Sequence, residues 1–253
     1  MDRIALDKTL TLGKEVLLEG PPLEALLFRN VRVGSLVTLT DREGRDFRGR
    51  VLRCSSERAA VFLFEAFSSS TESPLELILL QALPDKERME WIIQKTTELG
   101  VAAIVPFKSE RSISLEEREA RQRKAHRWQE IALKAVRQSR RARVPVVETY
   151  RSFEEALNYG WGEGLKLLLW EREGRSLKEV LKRPSGSNLP PERTYLMVGP
   201  EGGFTLAEVE RACQRGFIPV KLGQRILRTE TAAIVLVGIL QYEWGDLALD
   251  RSI

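Results

Sequence analysis

From Pro74 onward the chain alternates short apolar runs with amphipathic stretches of helical length, and that alternation ends in two glycine-bearing loops. The first loop is Gly199-Pro200-Glu201-Gly202-Gly203-Phe204-Thr205, and the second is Leu222-Gly223-Gln224-Arg225-Ile226-Leu227-Arg228-Thr229-Glu230-Thr231-Ala232-Ala233. Each follows a strand-like run and leads into a helix. Alternation of this kind specifies an α/β domain with a largely parallel sheet. In such sheets ligands bind beyond the carboxyl ends of the strands, where both loops fall.

The spacing predicts strands over residues 75–83, 101–107, 144–148, 165–170, 194–198 and 217–222. Asp85 caps a helix whose apolar stripe is Met89, Ile92, Ile93, Thr96 and Leu99, with Gly100 as its stop. Further helices are expected over residues 116–139, 152–157 and 177–181, the second capped by Ser152. Thr205 and Glu208 form a capping box for the next helix. Thr229 or Thr231 caps the last, which runs to about Trp244. Residues 1–67 read differently, as short strands, with 36–40 and 47–52 flanking a hairpin turn at Asp41-Arg42-Glu43-Gly44-Arg45. They suggest a small β-barrel. The stretch Ser68-Ser69-Ser70-Thr71-Glu72-Ser73-Pro74 reads as a linker, giving domains at 1–70 and 74–253.

Composition excludes several function classes. With 253 residues, 43% hydrophobic and 30% charged, the chain is expected to be globular and soluble. No apolar run reaches the ~20 residues of a membrane span. The start Met1-Asp2-Arg3-Ile4 lacks the plan of a signal peptide, so a cytoplasmic protein is expected. Two cysteines (Cys54, Cys213) and one histidine (His126) leave no disulfide framework, no metal cluster and no Cys–His pair. Charge is uneven: between Arg118 and Arg143, ten Lys or Arg against two acids leave a local +8, in a chain of net +4. That segment suits a nucleic-acid backbone. Trp128, inside it, reads as core.

The loops themselves narrow the ligand. Their glycines let main-chain amides and carbonyls approach closely. Neither loop has the Gly-Lys-Ser/Thr of a triphosphate loop or a Gly-x-Gly-x-x-Gly pattern. Backbone groups with apolar Leu222, Ile226 and Leu227 suit a nucleoside-containing cofactor.

These motifs resemble those of the small-subunit (16S) ribosomal RNA uridine-N3 methyltransferase family, of the SPOUT superfamily of trefoil-knotted enzymes. Gly-Pro-Glu-Gly-Gly-Phe-Thr and Leu-Gly-x-Arg-Ile-Leu-Arg-Thr-Glu-Thr-Ala carry most of the likeness. Lys95-Thr96-Thr97-Glu98-Leu99-Gly100, Ser109-Glu110-Arg111-Ser112 and Gln138-Ser139-x-Arg141 with Pro145 extend it, in order, over about residues 75–244. The resemblance departs at residues 25–32, which lack the family's histidine, and at Arg137, where the family commonly has Glu.

The resemblance implies an N-terminal PUA-like or OB-like barrel, a knotted C-terminal methyltransferase domain and a homodimer whose final helix could serve the interface. It implies S-adenosylmethionine held by Leu169, Gly199, Pro200, Glu201, Gly202, Gly203, Leu222, Gly223, Ile226, Leu227, Arg228, Thr231 and Ala232. Methylating N3 of uridine requires in-line alignment and loss of the imino proton. A fixed guanidinium would steady the charge that spreads onto the uracil oxygens. Arg228 is the candidate, with pairing to Glu201 or Glu230 as the structural alternative. No residue stands out as the general base. Small-subunit rRNA would be held by Arg29, Arg32, Arg48, Arg50, Arg111, Arg137, Arg140 and Arg141. Two other readings remain open at this point. One is a SPOUT enzyme methylating ribose 2′-OH or guanosine N1, and the other is a non-catalytic RNA-binding assembly factor.

Overall fold

The computed structural model describes residues 3–28, 31–67, 72–112, 127–159, 162–182 and 190–248. The chain divides into two compact units, Met1–Glu72 with Arg140–Val144, and Ser73–Ser139 with Pro145–Ile253. The division falls inside the expected linker. Of that linker, residues 68–71 lie outside the described residues.

The first unit contains β1 (Arg3–Ala5), β2 (Glu15–Leu18), α1 (Pro21–Phe28), β3 (Leu36–Thr40), β4 (Asp46–Cys54) and β5 (Ala59–Ala66). Its sheet runs β1-β3-β4-β5-β2, so the edge strands are not joined and the expected barrel is a half-barrel. Ile4, Leu18, Leu26, Leu39, Val51, Val61 and Leu63 fill its concave side. The hairpin turn between β3 and β4 forms where expected. Asp41 Oδ1 accepts from the backbone N–H groups of Glu43 and Arg45, and the Arg45 guanidinium grips Oδ2 at 2.8 and 2.9 Å.

Arg140–Val144 groups with this unit although it is distant in sequence. Two buried carboxylate contacts hold it there. Arg141 Nη2 lies 2.6 Å from Glu72 Oε2, and the Arg143 N–H donates to Glu72 Oε1. Thr38 Oγ1 also donates to the Ala142 carbonyl.

The second unit is the expected α/β domain. It comprises β6 (Glu76–Ala82), α2 (Lys86–Glu98), β7 (Ala103–Lys108), α3 (Arg127–Ser139), β8 (Val146–Val147), β9 (Arg151–Ser152) and α4 (Phe153–Tyr159). It continues through β10 (Leu165–Leu169), β11 (Arg175–Ser176), α5 (Leu177–Lys182), β12 (Arg193–Val198), α6 (Leu206–Gln214), β13 (Ile218–Lys221) and α7 (Thr229–Glu243). Its strands run in the order β11-β13-β10-β12-β6-β7-β8, with β9 beside β7, and every pairing is parallel.

The two-residue period of the strands sorts their side chains onto two apolar layers. Leu77 and Leu79 of β6, with Leu196 and Val198 of β12, pack against Ile92, Trp128, Leu236 and Leu240 of the helices on one face. Ile78, Leu80, Tyr195 and Met197 pack against Phe153, Phe204 and Val209 on the other. Trp128 is thus core, as expected. Both faces being covered explains why these strands read as continuous apolar runs. The two-residue strands β9 and β11 are too short to leave a sequence signal.

Burial raises the Asp41 carboxyl pKa. Hydrogen bonds from the Arg45 side chain and from the Arg45 and Glu43 backbone outweigh it and hold the group below its ordinary value. Its stabilisation is complete above the unfolded carboxyl value of about 3.9 and is lost as pH falls through the lower folded value. Asp41→Asn is expected to lower the urea midpoint at neutral pH, with the gap from the parent closing as the solution is acidified. A gap independent of pH contradicts this.

Candidate functional site: a cleft between two main-chain loops

The carboxyl ends of β12, β10 and β13 lie side by side and open onto one cleft of about 530 Å3. The loop after β12 (residues 199–205) forms one wall and the loop after β13 (residues 222–228) the other, with Leu169, Trp170 and Glu171 between them. Gly203 and Gly223 have φ of +66° and +104°, a region where a side chain would be strained, so both turns require glycine.

One node ties the walls together. Thr229 Oγ1 donates to the Gly199 carbonyl at 2.6 Å. Gln81, fully buried at the end of β6, donates from Nε2 to Thr229 Oγ1 at 3.1 Å and to the Gly199 carbonyl at 3.4 Å. This node corrects the expected start of the last helix. The N-cap is Arg228, with no side-chain cap, because the Thr229 hydroxyl is turned back onto the first loop.

A second set of contacts fixes the first loop from outside. The capping box at Thr205 and Glu208 is present, and the buried Glu208 carboxylate also accepts from the Glu110 N–H at 2.8 Å. Arg111 Nη1 donates to the Gly202 carbonyl at 2.9 Å. The Ser109–Ser112 segment therefore braces the loop. Phe204 closes the base of the turn, stacked on Phe107 with ring centres 6.4 Å apart.

Third, Glu201 Oε1 accepts from the Asp85 N–H and pairs with Arg88 Nη1, both at 2.9 Å. Arg88 Nε lies 3.2 Å from Asp85 Oδ2 and 3.7 Å from Glu230 Oε2. The tie to Glu201 and Glu230 that the sequence offered to Arg228 is made by Arg88. Arg228 is exposed and, among the described residues, forms no ion pair.

Of the residues expected to hold a cofactor, Leu169, Gly199, Pro200, Glu201, Gly202, Gly203, Leu222, Gly223, Ile226, Leu227, Arg228 and Ala232 all line the cleft. Thr231 does not. It lines a neighbouring cavity with Trp91, Ile234 and Val235, because it falls on the outward face of α7. The structure adds Arg88, Trp170, Glu171, Lys221, Gln224, Arg225 and Thr229 to the lining. Trp170-Glu171 directly follows a strand in the same domain, a position that could have flagged it.

The arginines expected on RNA divide differently. Arg32, Arg50, Arg111, Arg137 and Arg140 are exposed. Arg48 is not available at the surface: it is 3% exposed, pairs with Glu65 at 2.6 Å and lies over the Phe67 ring. Arg141, 5% exposed, is likewise spent on Glu72. These two are corrected to structural roles. Arg29 and most of the basic segment before Arg127 lie outside the described residues. Among the described residues no His, Cys, Asp and Glu cluster could hold a metal, and no helix is long and apolar enough to cross a membrane.

A parallel sheet with a cleft at its carboxyl edge is common to open α/β folds. A model of the RNA methyltransferase domain matches residues 71–241, and with the solved neighbours below it places the chain among SPOUT-type RNA methyltransferases. The chain is 32% identical to ribosomal RNA small subunit methyltransferase E of Bacillus subtilis over 220 residues, 86% of each protein. The crystal structure of the Neisseria gonorrhoeae methyltransferase E, bound to S-adenosyl methionine, is 35% identical, with TM-score 0.66 over 98% of this chain and 99% of that one. A Legionella pneumophila methyltransferase in complex with the same cofactor is 30% identical, also with TM-score 0.66, over 97% and 99%. The chain belongs to the ribosomal RNA small subunit methyltransferase E family.

Removing the hydroxyl of the node tests its role. Thr229→Val leaves the Gly199 carbonyl and the buried Gln81 amide short of a partner, at a cost of about 1–3 kcal/mol. Thermal melts are expected to fall in the absence of ligand, and the rise in melting temperature on adding S-adenosylmethionine is expected to shrink. A full ligand-induced rise contradicts the node's role in the cleft.

Proposed function

We propose that the protein transfers a methyl group from S-adenosylmethionine to N3 of a uridine in 16S ribosomal RNA. The observation that carries this reading is the single cleft built from both motif loops. Its volume is that of a small-molecule site. It is lined by glycine main chain, by leucines and by the Glu171 carboxylate, which makes no ion pair among the described residues. Such a lining, which also holds Glu201, Arg88, Lys221, Arg225 and Arg228, fits a nucleoside whose tail carries both signs of charge, and neither loop has the Gly-Lys-Ser/Thr of a triphosphate site.

When bound, the cofactor supplies an electrophilic methyl group on its sulfonium. The chain's own work is to align the base and to manage charge. N3 is a pairing position, so the uridine must be unpaired or turned out of its stack to enter. Arg228, exposed at the cleft edge, places a permanent positive charge where the uracil oxygens gain negative charge as the imino proton leaves. Exposed Arg111, Arg137 and Arg140 supply phosphate contacts in their respective units, as do Arg32 and Arg50.

The protein acts as a cytoplasmic homodimer in this reading. The outward faces of α2 and α7 expose Trp91 at 59%, Val235 at 37% and Tyr242 at 62%, an apolar surface suited to a second copy.

Mass spectrometry of small-subunit rRNA nucleosides tests the reading. Cells lacking the gene are expected to lose 3-methyluridine, and the parent protein to restore it. Arg228→Ala is expected to lower turnover by about a hundredfold or more while changing S-adenosylmethionine affinity only a few-fold. Unaltered 3-methyluridine without the gene refutes the substrate, and unaltered turnover in the variant refutes the role of Arg228.

A further inference from the structure

Three carboxylates converge on one guanidinium at the mouth of the cleft. Arg88, in the first turn of α2, is held in place by its own N–H bond to the Asp85 cap at 3.0 Å. Its side chain then reaches Asp85 and Glu201 at 3.2 and 2.9 Å and stands 3.7 Å from Glu230 Oε2, an ion pair longer than a hydrogen bond. Glu201 belongs to the first loop and Glu230 to the first turn of α7, two residues after Arg228. Arg88 and Arg228 both line the cleft and both line the adjoining cavity, so the two cations border the same acids. Only Arg88 is paired with them. Its side chain is 32% exposed, whereas Arg228 is exposed and unpaired among the described residues.

We propose that Arg88 is a positioning residue for methyl transfer: by occupying Glu201 and Glu230 it keeps them from capturing Arg228, whose guanidinium stays open to the substrate base. This rests on the reading of Arg228 given above. The physical reason is competition. Opposite charges within a few ångströms of one another in a partly dehydrated cleft attract strongly. An arginine drawn into an ion pair has its donors spent and its charge offset. Arg88 has the fork of donors to serve several carboxylates at once, which a point charge lacks. It also joins the loop after β12 to the start of α7, as the Gln81–Thr229 node does through other atoms. The same contact that frees Arg228 therefore sets the loop it faces.

The test uses the full-length protein, S-adenosylmethionine and small-subunit rRNA, and reads turnover, KM for RNA and cofactor affinity by calorimetry. Arg88→Gln is expected to lower turnover at least about tenfold, with cofactor affinity within about threefold of the parent. Adding Glu201→Gln and Glu230→Gln to it removes the competing charges while keeping the Asp85 N–H acceptor, and is expected to recover most of the lost turnover. Arg88→Lys, a milder change, is expected to fall between the parent and Arg88→Gln.

Parental turnover in both Arg88 variants overturns the proposal. So does a triple variant as slow as Arg88→Gln, since a purely structural loss would not be rescued by removing two more ion-pair partners. Arg228→Ala run alongside separates the two layers. If it is slow and Arg88→Gln is not, only the positioning role falls. If Arg228→Ala turns over normally, the role of Arg228 falls and this inference with it.

Discussion

The site depends on one hydrogen-bonded node, in which the Thr229 hydroxyl reaches back from the start of α7 to the Gly199 carbonyl at 2.6 Å while Gln81 bonds to both. β12 and β13 are not neighbours; β10 runs between them. Their loops would otherwise be two separate turns on one sheet edge. The node makes them two walls of one cleft and leaves the end of β10 as its floor. Its Gln81 and Thr229 side chains are buried, so they have little water to fall back on, and losing one partner leaves them with much of the cost of desolvation.

Around that node the charges divide labour. Arg88 holds Glu201 and Glu230, and Arg228 is left facing the open cleft. Two arginines of equal formal charge thus have different chemistry because only one is paired with the carboxylates that both border. The same distinction runs through the basic residues elsewhere. Arg48 and Arg141 are as basic as Arg50 and Arg140 in sequence, yet each of the first pair is buried against a glutamate.

What could be read from the sequence follows from how local each cause is. The Thr205–Glu208 capping box involves residues three apart and formed as expected. So did the Asp85 cap, the Asp41 turn and the strand pattern that fixed the α/β class. The cleft residues were legible because the two motif loops carry nearly all of them. Whatever depends on a distant partner was not legible. The first residue of α7 was misplaced because the Thr229 hydroxyl is claimed by a residue 30 positions away. Arg141 looked like a phosphate contact because Glu72 lies 69 residues off. Arg88 sits in an ordinary helix start, and its partners Glu201 and Glu230 come from the far end of the chain. The segment Arg140–Val144 shows the same limit at larger scale, as its membership in the N-terminal unit is set by contacts with Glu72 and Thr38.

The central claim is that both loops form one cofactor cleft and respond to ligand as a unit. Backbone hydrogen exchange measured during titration with S-adenosylmethionine addresses it most directly. Exchange is expected to slow in residues 199–204 and 222–229 together, with one common midpoint. Slowing confined to one loop, or absent from both at saturating cofactor, would contradict the account.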